Sequence, residues 1–143
     1  MCTLQERQDE IDVLARTLYG EARGEGLTGI EAVANVIMNR VQIAREKGGY
    51  WWGTSVKDVC LKPFQFSCWN PDDANFDVIQ SITPTDSVFY VCRHVAMRAV
   101  RGTLKDSTGG ATHYHTLSVN PAWARHLIPC AQIGNHLFYR EVI

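Results

Sequence analysis

No apolar run in this 143-residue chain approaches the roughly 18 residues that suggest a membrane span, so no insertion into a bilayer is expected. Charge of one sign is also missing: 14 Lys and Arg stand against 15 Asp and Glu, a formal net charge of -1. Without a basic cluster to grip a phosphate backbone, nucleic-acid binding is disfavoured. The opening Met1 to Glu10 is polar and lacks the basic-then-apolar pattern of a signal peptide, which predicts cytoplasmic synthesis. CxxC and HExxH are absent. The five cysteines, Cys2, Cys60, Cys68, Cys92 and Cys130, are odd in number and irregular in spacing, so reduced thiols are expected rather than a disulfide framework. There is no repeat, linker or low-complexity tract, and residues 1–143 are read as one domain, expected to be a monomer that needs no cofactor or metal.

What is present is ordinary in bulk and informative in pattern. Hydrophobic residues at 45% and charged residues at 20% suit a globular chain with its own core. A first helix is predicted over about Gln8 to Arg23, with Ile11, Leu14, Ala15, Leu18, Tyr19 and Ala22 on one face. Glu21 falls roughly 80° from the centre of that face, at the border of the buried stripe. Gly24 is read as the stop, which leaves Glu21 in the last turn among unpaired carbonyls. Partial burial and the negative end of the helix dipole both push its pKa up.

Thr28-Gly-Ile-Glu31 has the form of a capping box for a second helix, in which Ile30, Val33, Ala34, Ile37, Val41 and Ala44 share a face and Val36 and Met38 add a second apolar side. Asn39 and Arg40 interrupt that run and need polar partners. A loop carries Tyr50-Trp51-Trp52, a short helix is predicted near Ser55 to Cys60, and Lys62 to Pro71 is read as an ordered loop bounded by prolines. Asp86 is an N-cap candidate for a further helix that Gly102 ends. Residues 106–110 form a turn, followed by a strand over 111–116 with Tyr114 opposite His113 and His115, and a second strand at Leu137-Phe138-Tyr139 after a Gly134-Asn135 turn. The predicted fold class is α+β, mainly helical with a small antiparallel hairpin or sheet.

Three blocks in order resemble the SleB and CwlJ type cell wall hydrolases. They are Leu18-Tyr-Gly-Glu21-Ala-Arg23-Gly24-Glu25 with the helix through Asn39-Arg40-Val41; Lys62-Pro-Phe-Gln65-Phe66-Ser67-Cys68-Trp69; and a third running from Asp106-Ser-Thr-Gly109-Gly110 through Tyr114-His115 and Pro121-Ala-Trp123 to Gly134-Asn135-His136-Leu-Phe138-Tyr139. The resemblance implies a lysozyme-like fold related to lytic transglycosylases, bacterial peptidoglycan as substrate, and Glu21 as the catalytic acid. Where the family often has proline after the aspartate of the third block, this chain has Ser107.

A glycosidase cutting between N-acetylmuramic acid and N-acetylglucosamine needs an acid at the bridging oxygen and stabilisation of an oxocarbenium-like centre. Glu21 supplies the acid. A hydrolase sets a second carboxylate about 5 Å away for retention or about 6.5–9.5 Å for inversion, and Glu25 is the candidate, with Asp72 and Asp73 near the aromatic loop. A transglycosylase lets the muramic 6-hydroxyl attack and needs one glutamate, which favours that route. Gln65, Phe66, Ser67, Trp69, Tyr114 and His136 are the expected groove residues, since amides and hydroxyls suit acetamido and hydroxyl groups and aromatic faces suit sugar rings. The alternatives are a metal-dependent amidase or peptidase using His113 and His115, and a murein-binding domain without chemistry. A compact phage-type endolysin, released to the wall through a holin-type pore, is the expected setting.

Overall fold

The computed structural model describes residues 3–142, so Cys2 lies outside the described residues. Helix α1 (Leu4–Ala22) opens earlier than its apolar period suggests, because Thr3 and Glu6 form a capping box: the Glu6 amide donates to Thr3 Oγ1 at 3.1 Å and the Thr3 amide donates to Glu6 Oε2 at 3.2 Å. The second T-x-x-E does not cap. Helix α2 (Gly26–Glu46) starts at Gly26 with Glu25 before it and no side-chain cap, which leaves Thr28 and Glu31 inside the first turns. The Glu31 carboxylate instead accepts from Arg98 at 2.8 Å. Nor is Gly24 the left-handed stop expected of it. Arg23 ends α1 in right-handed geometry, and the positive φ of the junction falls on Gly26, at 74°.

Helix α2 divides two apolar regions. Ile30, Val33, Ala34, Ile37, Val41 and Ala44 enter the main core with Leu14 and Leu18 of α1 and with Phe89, Val95 and Ala96 of helix α5 (Ser87–Arg101). Its other side carries Ala32 and Val36 into a smaller cluster with Ala111 and Phe138, so the two-sided apolar pattern is a two-sided burial. Each fully buried Leu, Ile, Val or Phe contributes about 1.5–3 kcal/mol of burial free energy. Short helices α3 (Val56–Leu61), capped by Ser55, and α4 (Asn75–Ser81) pack on α1. Asp86 caps α5 by accepting from the Val88 and Phe89 amides, and Gly102 closes it at φ 80°.

The sheet holds three antiparallel strands in the order β1-β3-β2: β1 (His113–Thr116), β2 (Ala131–Ile133) and β3 (His136–Tyr139). Tyr114 and Ala131 both face Phe138 in register, and Gly134 and Asn135 turn β2 into β3. The sequence pattern shows β1 and β3 but not β2, which is three residues long.

Polar side chains of α2 tie down the segment that leads into β1. Asn35 donates to the Lys105 carbonyl and to Ser107 Oγ, Asn39 to Asp106 and to the Ala111 carbonyl, and Arg40 Nε to the Thr112 carbonyl at 2.7 Å. These bonds explain polar residues in an apolar helix, and they make Ser107 an acceptor for Asn35. Burial alone would raise the pKa of Asp106, but the hydrogen bonds it accepts from Thr108, Asn39 and Gly110 outweigh that and hold it below the usual carboxylate range.

Candidate active site

Glu21 stands in the last turn of α1, where three elements meet. Its neighbour Gly20 makes the meeting possible: a Cβ there would lie 2.6 Å from Cys68 Cβ and 2.8 Å from its sulfur. Only glycine lets the short 3-10 turn Ser67–Trp69 press so closely on the helix. The turn is also pinned by the Trp69 indole, which donates to Thr17 Oγ1 at 2.9 Å, while Thr17 donates to the Val13 carbonyl. From the opposite side, the Tyr114 hydroxyl of β1 donates to Glu21 Oε1 at 3.3 Å.

The carboxyl of Glu21 titrates above the ordinary glutamate range. Burial is the chief cause, and the negative charge of Asp73 adds to it, while hydrogen bonds from the Cys68 thiol and amide and from Tyr114 act in the other direction. The position at a helix end bordering the core predicts this upward shift. The partners that temper it lie 47 and 93 residues away in sequence and leave no local signal.

Glu21 opens onto a cleft of about 460 Å³ lined also by Arg40, Trp51, Pro63, Phe64, Gln65, Phe66, His113, Tyr114 and Trp123. This lies within the rough 300–1,000 Å³ range of small-ligand sites. Trp51 and Phe64 are exposed at its rim, at 59% and 90%, and Trp52 next to Trp51 is buried. The adjacent tryptophans therefore have different surroundings, Trp52 in the core and Trp51 at the cleft. Arg40 lies beneath Trp52 and Phe66, its guanidinium carbon 5.5 Å from each ring centroid. Burial, and then the charge of Arg40, lower the pKa of His113 to about 4, so the imidazole facing the cleft is neutral.

Of the groove residues expected from sequence, Gln65, Phe66 and Tyr114 line the cleft with Glu21. Ser67, Trp69 and His136 do not. Ser67 opens the 3-10 turn and is exposed, Trp69 is committed to Thr17, and His136 is 5% exposed with its Nδ1 3.1 Å from Glu25 Oε1. Glu25, the candidate second carboxylate, also accepts from the Asn135 amide at 3.3 Å, and so clamps the β2–β3 turn onto the α1–α2 junction. It is a brace between elements and does not line the cleft. Arg40, His113, Trp51, Phe64 and Trp123 were not among the expected groove residues. Arg40 was detectable as a buried charge in an apolar helix, and Trp51 as one of three aromatics; nothing local marks Phe64.

His113 and His115 have partners of their own. His113 Nδ1 lies 2.9 Å from Thr112 Oγ1, and His115 bonds through Nδ1 to the Thr116 carbonyl and through Nε2 to the Tyr139 hydroxyl. Among the described residues no three His, Cys, Asp or Glu side chains are gathered as a metal ligand set. Cys60, Cys68, Cys92 and Cys130 are free thiols, and burial raises the pKa of each. No helix among the described residues is long and apolar enough to cross a membrane.

A helical α+β frame thus holds a carboxyl of raised pKa in a cleft walled by aromatic side chains. The chain belongs to the cell wall hydrolase family, whose sequence model matches residues 24–139. It is 32% identical over 133 residues to a spore cortex-lytic enzyme of Halalkalibacterium halodurans and 31% identical over 134 residues to one of Bacillus cereus, covering 91% and 92% of this chain. Those matches span 34% and 44% of the relatives' own lengths, so the chain corresponds to less than half of each. Among solved structures, the catalytic domain of the Bacillus cereus SleB protein superposes with a TM-score of 0.70 at 29% identity, covering 93% of this chain and 91% of that one. The catalytic domain of the germination-specific lytic transglycosylase SleB from Bacillus anthracis gives 0.69 at 29% identity, covering 93% and 95%.

Proposed function

We propose that residues 1–143 act as one catalytic unit, a peptidoglycan glycosidase that cleaves the bond from N-acetylmuramic acid to N-acetylglucosamine with Glu21 as general acid and then base. The observation that carries this reading is the raised pKa of Glu21, together with its standing as the one carboxylate among the described residues that line the cleft. A protonated carboxyl gives its proton to the bridging oxygen as the bond from that oxygen to muramic C1 breaks. With Glu25 held by the hairpin turn, the second step falls to a nucleophile that Glu21 itself can deprotonate. The muramic 6-hydroxyl meets that need: its oxygen bonds to C1, its proton passes to Glu21, and a 1,6-anhydro ring closes. The lytic transglycosylase among the similar structures supports the same route.

Trp51, Phe64 and Trp123 supply apolar faces for sugar rings along the cleft. Purified murein incubated with the protein should release soluble muropeptides in the presence of EDTA, and Glu21→Gln should lower that release at least about 100-fold, the usual range for a lost general acid. Release that EDTA stops and Glu21→Gln spares would favour the amidase or peptidase reading; binding to murein without release would favour a non-catalytic module.

A further inference from the structure

Two buried polar atoms in the cleft residues have no protein partner, and they are of opposite kind. Arg40 Nη1 is a donor and Gln65 Oε1 is an acceptor. The third such atom among the described residues, His136 Nδ1, faces Glu25 away from the cleft. Arg40 is 8% exposed, tied through Nε to the Thr112 carbonyl, and held against the rings of Trp52 and Phe66. It takes part in none of the ion pairs among the described residues. Gln65 donates its Nε2 to the Val59 carbonyl at 2.7 Å, which fixes the amide orientation and leaves Oε1 as the free end. Unpaired buried donors and acceptors are costly, and one of each on side chains that line a single cleft with Glu21 calls for a ligand that satisfies both.

We infer that Arg40 and Gln65 form a receptor for a secondary amide of the glycan, whose carbonyl oxygen accepts from Arg40 and whose N–H donates to Gln65 Oε1. The inference rests on the glycosidase reading and names the substrate group that the cleft selects. A carboxylate would satisfy Arg40 but set its charge against the Gln65 oxygen. A secondary amide carries its acceptor and its donor on opposite edges of one plane, so an amide seated between the two side chains meets both. Access runs through the loop that carries Gln65. Next to it, Phe64 is 90% exposed and sits in the left-handed region at φ 64°, a strained backbone for a bulky side chain. Gln65 Oε1 is enclosed, so the receptor requires this loop to shift as the amide enters.

Peptidoglycan offers two amides of this class, the acetamido groups of its sugars and the lactyl amide that begins the stem peptide on muramic acid. The test uses Glu21→Gln protein to prevent turnover and follows tryptophan fluorescence during titration with soluble murein strands. Three preparations are compared: intact, N-deacetylated, and stripped of peptide by an amidase. One depleted preparation should bind about tenfold more weakly than intact strands, and in the Glu21→Gln, Gln65→Leu double variant that gap should shrink to within about twofold. Weaker binding of the deacetylated strands assigns the acetamido group, and weaker binding of the stripped strands assigns the lactyl amide. Arg40→Lys, which keeps charge but loses the planar donor, should narrow the gap in the same way, with thermal melting as the control for folding. Equal affinity for all three preparations, or a gap that persists in the Gln65→Leu background, overturns the receptor. Muropeptide release by the unsubstituted protein is scored separately, so equal affinities with release retained sink the receptor and leave the glycosidase reading standing.

Discussion

At the residue scale the account turns on when Glu21 holds its proton. Its folded pKa lies above the ordinary value because burial penalises the charged form. The acid form therefore persists to a higher pH than in a solvated glutamate, and activity that needs it is lost as pH rises through the raised pKa. The Tyr114 hydroxyl stabilises the carboxylate by donating to it. Tyr114→Phe should accordingly move the alkaline limb of kcat/KM upward, by up to about one pH unit for the loss of one hydrogen bond. A limb that moves down, or stays in place, would show that Tyr114 does not donate to the reacting carboxyl. The upward shift of Glu21 was legible in the sequence through its place at a helix end bordering the core. The sequence did not reveal that Glu25, four residues on, turns away to His136 and Asn135, because the chain leaves α1 in between and helical spacing no longer relates the two.

At the element scale, the site depends on how closely the Ser67–Trp69 turn approaches α1. Gly20→Ala would place a Cβ 2.6 Å from Cys68 Cβ, and overpacking of this kind costs about 1–3 kcal/mol. Denaturant unfolding should show that loss, with a parallel fall in cleavage rate as Cys68 moves off Glu21. Gly24→Ala is the matched control. Nothing lies within 4 Å of an added Cβ there and its φ is not positive, so its stability should stay within about 1 kcal/mol of the parent or rise slightly. Equal destabilisation by the two substitutions would contradict the packing argument. The longer helices were legible because their apolar periods are long and Asp86 and Gly102 punctuate α5. The start of α1 was missed because its first turns hold an exposed Leu4 and then only polar residues, Gln5 to Glu10, exposed apart from a half-buried Glu10, which leaves its capping box as the only cue. Two T-x-x-E motifs occur in the first 31 residues. Only the one at Thr3 precedes a free helix end, since the turn at Gly26 has already launched α2 before Thr28 is reached.

At the scale of the whole molecule, the three sequence blocks converge on one cleft edge by edge: Glu21 from α1, Gln65 and Phe66 from the loop before the 3-10 turn, and His113 and Tyr114 from the edge strand β1. Family and fold class could be read from the blocks because their order reflects this assembly. Which member of each block faces the cleft could not, since that is decided by long-range contacts such as Trp69 with Thr17 and Arg40 with Thr112. The central claim is that one carboxyl both protonates the leaving oxygen and receives the proton of an internal nucleophile. Mass spectrometry of the products from purified murein tests it most directly. The account predicts fragments ending in 1,6-anhydro-N-acetylmuramic acid, lost together when Glu21 is replaced by Gln. Fragments with reducing muramic ends would mean that water attacks, reducing N-acetylglucosamine ends would mean that a different bond is cut, and either would contradict it.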